Sequence, residues 1–135
     1  MGVIFDTSVL VTLERGSQGL EKLIAGRESE PFGISVVTVS ELLHGDHRAD
    51  SEKRRLTRGA FVEKIIQTFP LYSFDLNAAR IYAKLWANLA NKGVTIGAHD
   101  LMIASTAIAL GFSVVTSDVR DYSKVKEVNI EKFVV

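Results

Sequence analysis

The sequence contains no cysteine, which excludes a disulfide scaffold, a thiolate zinc site, an iron–sulfur centre and a cysteine nucleophile. It also has no excess charge of either sign, because 16 basic residues balance 16 acidic residues. Any contact with a polyanion must therefore come from a local concentration of charge. No apolar run approaches the roughly 20 residues that span a bilayer, and from the first ten residues we expect no secretory leader. We expect a cytoplasmic protein without a membrane segment.

The 135 residues, of which 47% are hydrophobic, are typical of one globular domain, and we predict a single domain over residues 1–135. Short apolar runs alternate with segments of helical periodicity. The predicted strands are residues 2–5, 34–37, 71–74 and 113–116, with an edge strand near 128–130. The predicted helices are residues 20–24, 38–47, 51–68, 76–91 and 100–110. Strands separated by helices predict an α/β fold with a parallel sheet.

Four acidic residues follow predicted strands or open the helices beside them: Asp6, Glu41, Asp100 and Asp118. In a parallel sheet all four come to the same edge, where α/β proteins bind ligands. Each acid also has a capping interpretation, since Asp favours helix starts and Thr38 with Glu41 fits a capping box. Asp75 has the same sequence context, and we interpret it as an ordinary N-cap.

Taken together, the four carboxylates favour a metal site. Carboxylates gathered at one edge repel each other, and a divalent cation removes that penalty. Mg²⁺ and Mn²⁺ prefer oxygen ligands, and such a site can neutralise charge that develops on a phosphodiester. The chemistry then needs no strong nucleophile from the protein, in agreement with the missing cysteine.

Four segments closely resemble the PIN-domain ribonucleases, and in particular the VapC-type toxins of toxin–antitoxin pairs. They are IFDTSVL at residues 4–10, VSEL at 39–42, HDLMIA at 99–104 and VTSDVRDY at 115–122. The resemblance implies a three-layer α/β/α fold with a central parallel sheet, a homodimer, and Mg²⁺- or Mn²⁺-dependent cleavage of single-stranded or structured RNA. It also implies a cognate VapB-type antitoxin that occupies the active-site groove.

By the same resemblance, the metal-binding acids are Asp6, Glu41, Asp100 and Asp118, with Thr7, Ser8 and Thr116 in support. Two positions depart from the family pattern. Many relatives have Asn where Asp118 stands, and Phe is usual where this chain has Tyr122. Asp121 matches the acid before that aromatic residue, so the fourth ligand is Asp118 or Asp121, with Asp118 preferred.

Three further features have more than one interpretation. Residues 48–58 carry five basic and two acidic residues, which fits either a solvated helix face or an RNA-contacting arm formed by Arg54, Arg55 and Arg58. His99 either orients the neighbouring Asp100 or packs. Tyr82, Trp86 and Leu89 are predicted to lie in the core or at a dimer interface.

Two other functions compete with the nuclease. A different metal-dependent phosphohydrolase, of the haloacid-dehalogenase kind, needs Asp-x-Asp after the first strand, whereas this chain has Asp6-Thr7-Ser8. A non-catalytic PIN-like module that binds RNA or protein would use the acids only as helix caps, and it predicts no metal site.

Overall fold

The fold is built on five strands in a computed structural model that describes residues 2–15 and 21–134. The strands are β1 (Val3–Phe5), β2 (Phe32–Ser35), β3 (Leu71–Tyr72), β4 (Ser113–Thr116) and β5 (Ile130–Lys132). Their order in the sheet is β3-β2-β1-β4-β5, and every neighbouring pair is parallel. The chain builds outward from β1 to β3 and then returns to the other side of β1, so the strand order reverses between β1 and β4.

Helices connect the strands, as parallel pairing requires. They are α1 (Thr7–Arg15), α2 (Glu21–Ile24), α3 (Val36–His47), α4 (Glu52–Thr68), α5 (Leu76–Asn91), α6 (Ala98–Leu110) and α7 (Val119–Tyr122). Within the described residues, none of these helices has the length and apolar character needed to cross a membrane.

Two hydrophobic cores lie on opposite faces of the sheet, because successive side chains of a strand point in opposite directions. Phe5 faces one core with Val9 of α1 and Ile65 of α4. Ile4 faces the other core with Ile103 of α6. The helices thus form a layer on each side of the sheet, which confirms the predicted α/β/α architecture.

Two of the helix starts carry side-chain caps from residues at or shortly after the end of a strand. Ser35 accepts a hydrogen bond from the backbone N–H of Val37 at 3.0 Å and begins α3. Asp75 accepts one from the backbone N–H of Ala78 at 2.9 Å and begins α5, which confirms its interpretation as a cap.

The prediction of the second strand over residues 34–37 is wrong at both ends. β2 covers Phe32–Ser35, and Val36 and Val37 form the first turn of α3. The β-branched pair suggests a strand, but the Ser35 cap and the packing of Val37 override that local preference. Because α3 begins before Thr38, the predicted capping box between Thr38 and Glu41 does not cap this helix.

Other element boundaries also differ from the predictions. The pattern did not predict α1, whose run of Thr, Ser and Val residues resembles a strand. β3 ends at Tyr72, and β5 begins at Ile130 rather than at residue 128. Of the predicted helix 20–24, Leu20 lies outside the described residues, while the rest corresponds to α2. Trp86 is 61% exposed, so it does not belong to the core of this chain.

Gly33 in β2 lies where the sheet has no room for a side chain. A Cβ atom there would stand 2.5 Å from the backbone oxygen of Pro70 and 2.5 Å from the ring of Tyr72. The backbone contact cannot relax cheaply, because the same oxygen accepts the N–H of Ile34 at 3.0 Å. We therefore expect Gly33→Ala to lower the free energy of unfolding by about 1–3 kcal/mol. Urea denaturation measures this, and an unchanged midpoint would show that β2 and β3 separate easily.

Candidate active site

The carboxyl ends of β1 and β4 form the centre of the candidate site. Asp6 directly follows β1, and Thr116 is the last residue of β4. The two strands are held in register by the pair Phe5 and Val115, and the backbone N–H of Asp6 donates to the oxygen of Val115 at 2.9 Å. The strand order reverses at this point, which is where open α/β sheets bind ligands.

Asp6 is a buried carboxylate, 4% exposed, whose two oxygens accept hydrogen bonds from hydroxyl groups. Its Oδ2 accepts from Ser8 Oγ at 2.7 Å and from Thr116 Oγ1 at 2.9 Å. Its Oδ1 accepts from the hydroxyl of Tyr122 at 2.8 Å. A buried carboxylate needs such partners, and here they come from α1, β4 and α7.

Two of these hydroxyls connect Asp6 to the turn after β4. The backbone N–H of Ser117 donates to Ser8 Oγ at 3.2 Å, and the backbone N–H of Asp118 donates to Thr116 Oγ1 at 2.9 Å. Each hydroxyl therefore accepts from a backbone amide and donates to Asp6. These two chains of hydrogen bonds fix the turn that carries Asp118 beside the first acid.

Glu41 reaches the same edge from α3. Thr7 Oγ1 donates to Glu41 Oε1 at 2.6 Å, so the residue after Asp6 holds the second acid. The Thr7 and Thr38 hydroxyl oxygens lie 3.1 Å apart. His99 Nδ1 lies 3.4 Å from Glu41 Oε2, so this histidine contacts Glu41 across the site rather than the neighbouring Asp100.

Asp100 stands in the first turn of α6, as predicted, and is half-buried. Burial, followed by the charges of Asp6, Glu41, Asp121 and Asp118, raises the pKa of Asp100 to about 6. Partial desolvation and the charge of Asp121 also raise the pKa of Asp118. These interactions show that acids from four separate parts of the chain share one electrostatic environment.

The donor chemistry of this cluster fits a hard divalent cation. All its charged donors are carboxylate oxygens, and a cation would remove the repulsion that raises the pKa of Asp100. Within residues 2–15 and 21–134, no three or more His, Asp or Glu side chains form a cage that could hold a metal ion. Mg²⁺ needs no such cage, because it usually takes one or two carboxylates directly and keeps several waters.

Asp118 and Asp121 occupy different environments. Asp118 is exposed and stands at the start of α7 without a side-chain capping hydrogen bond. The carboxylate of Asp121 lies 3.3 Å from the ammonium of Lys124. Its charge nevertheless raises the pKa of Asp100 more than the charge of Asp118 does. Both therefore stay candidates for the fourth acid.

The three arginines predicted to contact RNA differ in their surroundings. Arg54 is exposed and pairs with both oxygens of Asp50 at 2.9 Å. Arg55 is exposed, and no ion pair is recorded for it in the described part of the chain. Arg58 instead turns toward Glu14 of α1 at 3.7 Å, and its buried Nε has no hydrogen-bond partner among the described residues. Arg58 thus belongs to the junction of α1 and α4, whereas Arg54 and Arg55 face solvent.

Tyr122 is the site residue whose role the sequence did not reveal. In the sequence it stands out only as a departure from the usual Phe, and nothing in the local pattern connects it to Asp6 across 116 positions. Burial and the charge of Asp6 raise the pKa of the Tyr122 phenol far above its usual value. Tyr122 is therefore a permanent hydrogen-bond donor to Asp6.

Comparisons with known proteins agree with this geometry. The family model described as PIN domain matches residues 3–128. The chain is 32% identical over 133 residues to Ribonuclease VapC1 of Rickettsia felis, and this match covers 96% of this chain and 95% of that protein. The solved structure of DNA-bound VapBC from Salmonella typhimurium superposes with a TM-score of 0.85 at 27% identity, covering 98% of both chains. VapBC-5 of Mycobacterium tuberculosis, a member of the VapBC family of toxin–antitoxin systems, gives a TM-score of 0.75 at 28% identity over 99% of this chain and 98% of its own.

Proposed function

We propose, from the premise that this chain belongs to the PIN-domain family and within it to the VapC ribonucleases, that its carboxylate edge hydrolyses phosphodiester bonds of RNA. The observation that carries the proposal is the buried Asp6 carboxylate, held by three hydroxyl groups at the reversal of strand order. Such a polar cluster would be costly to bury for packing alone. The nuclease domain in this proposal is the whole of residues 1–135.

The residues proposed to hold Mg²⁺ or Mn²⁺, one or two of them directly and the others through its waters, are Asp6, Glu41, Asp100 and Asp118, with Asp121 as the alternative fourth acid. A bound cation would supply positive charge that stabilises the phosphodiester as charge develops on it and that makes a nearby water more acidic. The chain itself orients the acids. Ser8 and Thr116 fix Oδ2 of Asp6, and Thr7 fixes Oε1 of Glu41.

In the proposed reaction, water attacks phosphorus, the bond between phosphorus and O3′ breaks, and O3′ takes up a proton, which leaves a 5′-phosphate and a 3′-hydroxyl. The substrate is single-stranded or structured RNA. Arg54 and Arg55 are the exposed cations of α4 that are proposed to contact its phosphates.

Three proposals about the surroundings of the enzyme follow from the family. The partner is a VapB-type antitoxin, since two solved relatives are VapBC complexes. The working unit is a homodimer. The compartment is the cytoplasm, where RNA is available to the enzyme.

The proposed function is tested by titrating the purified chain with Mn²⁺ in a calorimeter. We expect wild type to bind Mn²⁺, and we expect Asp100→Asn to bind at least about tenfold more weakly, because it loses one charged oxygen donor. A structured RNA pool incubated with Mn²⁺ and wild type should yield new ends that carry a 5′-phosphate. If neither protein binds Mn²⁺ and the RNA pool stays intact, the chain is instead a non-catalytic binding module whose acids serve the fold.

A further inference from the structure

Tyr122 is the last residue of α7 and is fully buried, with 0% of its surface exposed. Its ring belongs to the core on the α5 and α6 side of the sheet. Its hydroxyl lies at the edge of that apolar core, where it donates a hydrogen bond to Oδ1 of Asp6 at 2.8 Å. The ring thus fixes the position of the hydroxyl, and the hydroxyl reaches the centre of the acidic cluster.

The hydrogen bonds of Asp6 divide its two oxygens into different roles. A carboxylate oxygen has about two lone-pair positions. Oδ2 uses both, because the Ser8 and Thr116 hydroxyls each donate to it, and the backbone N–H of Ser8 also points to it at 3.4 Å. Among the described residues, Oδ1 receives only the Tyr122 hydroxyl, so one of its lone pairs stays open. Asp6 can therefore offer a ligand one oxygen in one direction.

We propose that Tyr122 is a positioning residue of the metal site, whose hydroxyl fixes the carboxylate plane of Asp6 and leaves one lone pair of Oδ1 for the cation. This inference rests on the proposed function. Fixing an acid in advance lowers the cost of arranging it when the cation binds. Partners that orient metal ligands in this way typically contribute 10- to 100-fold to metal affinity or activity.

A simpler role for the hydroxyl makes a different prediction. Buried tyrosines usually find some partner for their hydroxyl, so Asp6 could serve only to satisfy Tyr122. In that case the loss of the hydroxyl alters stability and leaves metal affinity unchanged. The variant Tyr122→Phe separates the two roles, because it keeps the buried ring and removes only the donor.

The test measures Mn²⁺ binding by calorimetry without RNA, in wild type, in Tyr122→Phe and in a matched control. Tyr72→Phe is the control, because Tyr72 is half-buried, packs edge-on against Phe112 at 5.6 Å, and has no recorded hydroxyl hydrogen bond within the described residues. We expect Tyr122→Phe to bind Mn²⁺ about 10- to 100-fold more weakly and Tyr72→Phe to bind as wild type does. In RNA cleavage, kcat should fall while KM for RNA stays close to the wild-type value.

Wild-type affinity in Tyr122→Phe would overturn the inference and leave the proposed function standing, whereas a wild type that binds no Mn²⁺ would overturn both. A second measurement uses wild type alone, so it tests the role even if Tyr122→Phe does not fold. In wild type labelled with 3-fluorotyrosine, the ¹⁹F signal of Tyr122 should shift when Mg²⁺ is added, and the signal of Tyr72 should not. Equal signals for Tyr122 with and without saturating Mg²⁺ would contradict the role.

Discussion

Replacing Asp6 with Asn is expected to lower the rate of RNA cleavage by about 100- to 1,000-fold. The change removes one charged oxygen donor from the proposed cation site and weakens the hold on a cation that stabilises developing charge. It also replaces one of the two acceptor oxygens of Asp6, to which Ser8, Thr116 and Tyr122 all donate, with an N–H₂ group that cannot accept. The measurement is the initial rate of cleavage at saturating Mn²⁺.

The direction of the hydrogen bonds makes this substitution more damaging than its small size suggests. The Ser8 and Thr116 hydroxyls each accept a backbone N–H, from residues 117 and 118, and each has a single proton that it donates to Asp6. An amide nitrogen facing them would leave a buried donor without a partner, which costs about 1–3 kcal/mol.

Asp75→Asn is the matched control for Asp6→Asn. Asp75 also follows a strand and begins a helix, but it only caps the N–H of Ala78 at 2.9 Å. Asn caps helices about as well as Asp, so this variant should keep wild-type stability and cleavage rate. Equal activity in Asp6→Asn and wild type would remove Asp6 from the catalytic site.

Most of the fold could be predicted from the sequence because its strands are short apolar runs separated by helical periodicity. The runs 2–5 and 113–116 correspond closely to β1 and β4, whose burial on both faces of the sheet requires continuous apolar sequence. The errors fall where local preference and tertiary packing disagree. Val36 and Val37 favour a strand, but they form the first turn of α3 after the Ser35 cap. Likewise, α1 begins with residues typical of a strand, so the sequence pattern does not predict it as a helix.

The site was only partly predictable, and the reason is geometric. The order of strands and acids placed Asp6, Glu41 and Asp100 at one sheet edge, since parallel strands all end there. Sequence order could not supply the contacts that orient them, which join residues far apart in the chain. The Thr7–Glu41 and Tyr122–Asp6 hydrogen bonds span 34 and 116 positions, and no local motif encodes either one.

Asp100→Asn is expected to reduce RNA cleavage by about 100-fold or more while making the metal-free protein more stable than wild type at neutral pH. Burial, then the charges of Asp6, Glu41, Asp121 and Asp118, raises the pKa of Asp100 from 3.8 to about 6. The ionised carboxylate therefore opposes folding when no cation is present. Asn has nearly the same shape and carries no charge, so it removes this cost.

The sign of the pH dependence follows from where the proton binds more tightly. An acid whose pKa is higher in the folded chain retains its proton there after the unfolded chain has lost it. In chelator, wild type should lose stability as the pH rises from 3.8 to about 6, and the full cost should persist above that range. Because Asp100 is half-exposed and solvent screens its charge, we expect a cost of about 1–2 kcal/mol.

Urea unfolding in chelator at pH 4 and pH 8 measures this difference between Asp100→Asn and wild type. The two proteins should be nearly equal at pH 4 and differ at pH 8, where the variant is more stable. A constant difference at both pH values would mean that the substitution acts through packing rather than through charge. Saturating Mn²⁺ should then cancel most of the variant's advantage, because a ligand at 100 times its Kd adds about 2.7 kcal/mol to the protein that binds it, and tenfold weaker binding adds about 1.3 kcal/mol less. Wild type would gain this stability, and the variant, with one carboxylate fewer, would gain less, so that the same acidic cluster opposes folding without the cation and favours it with the cation bound.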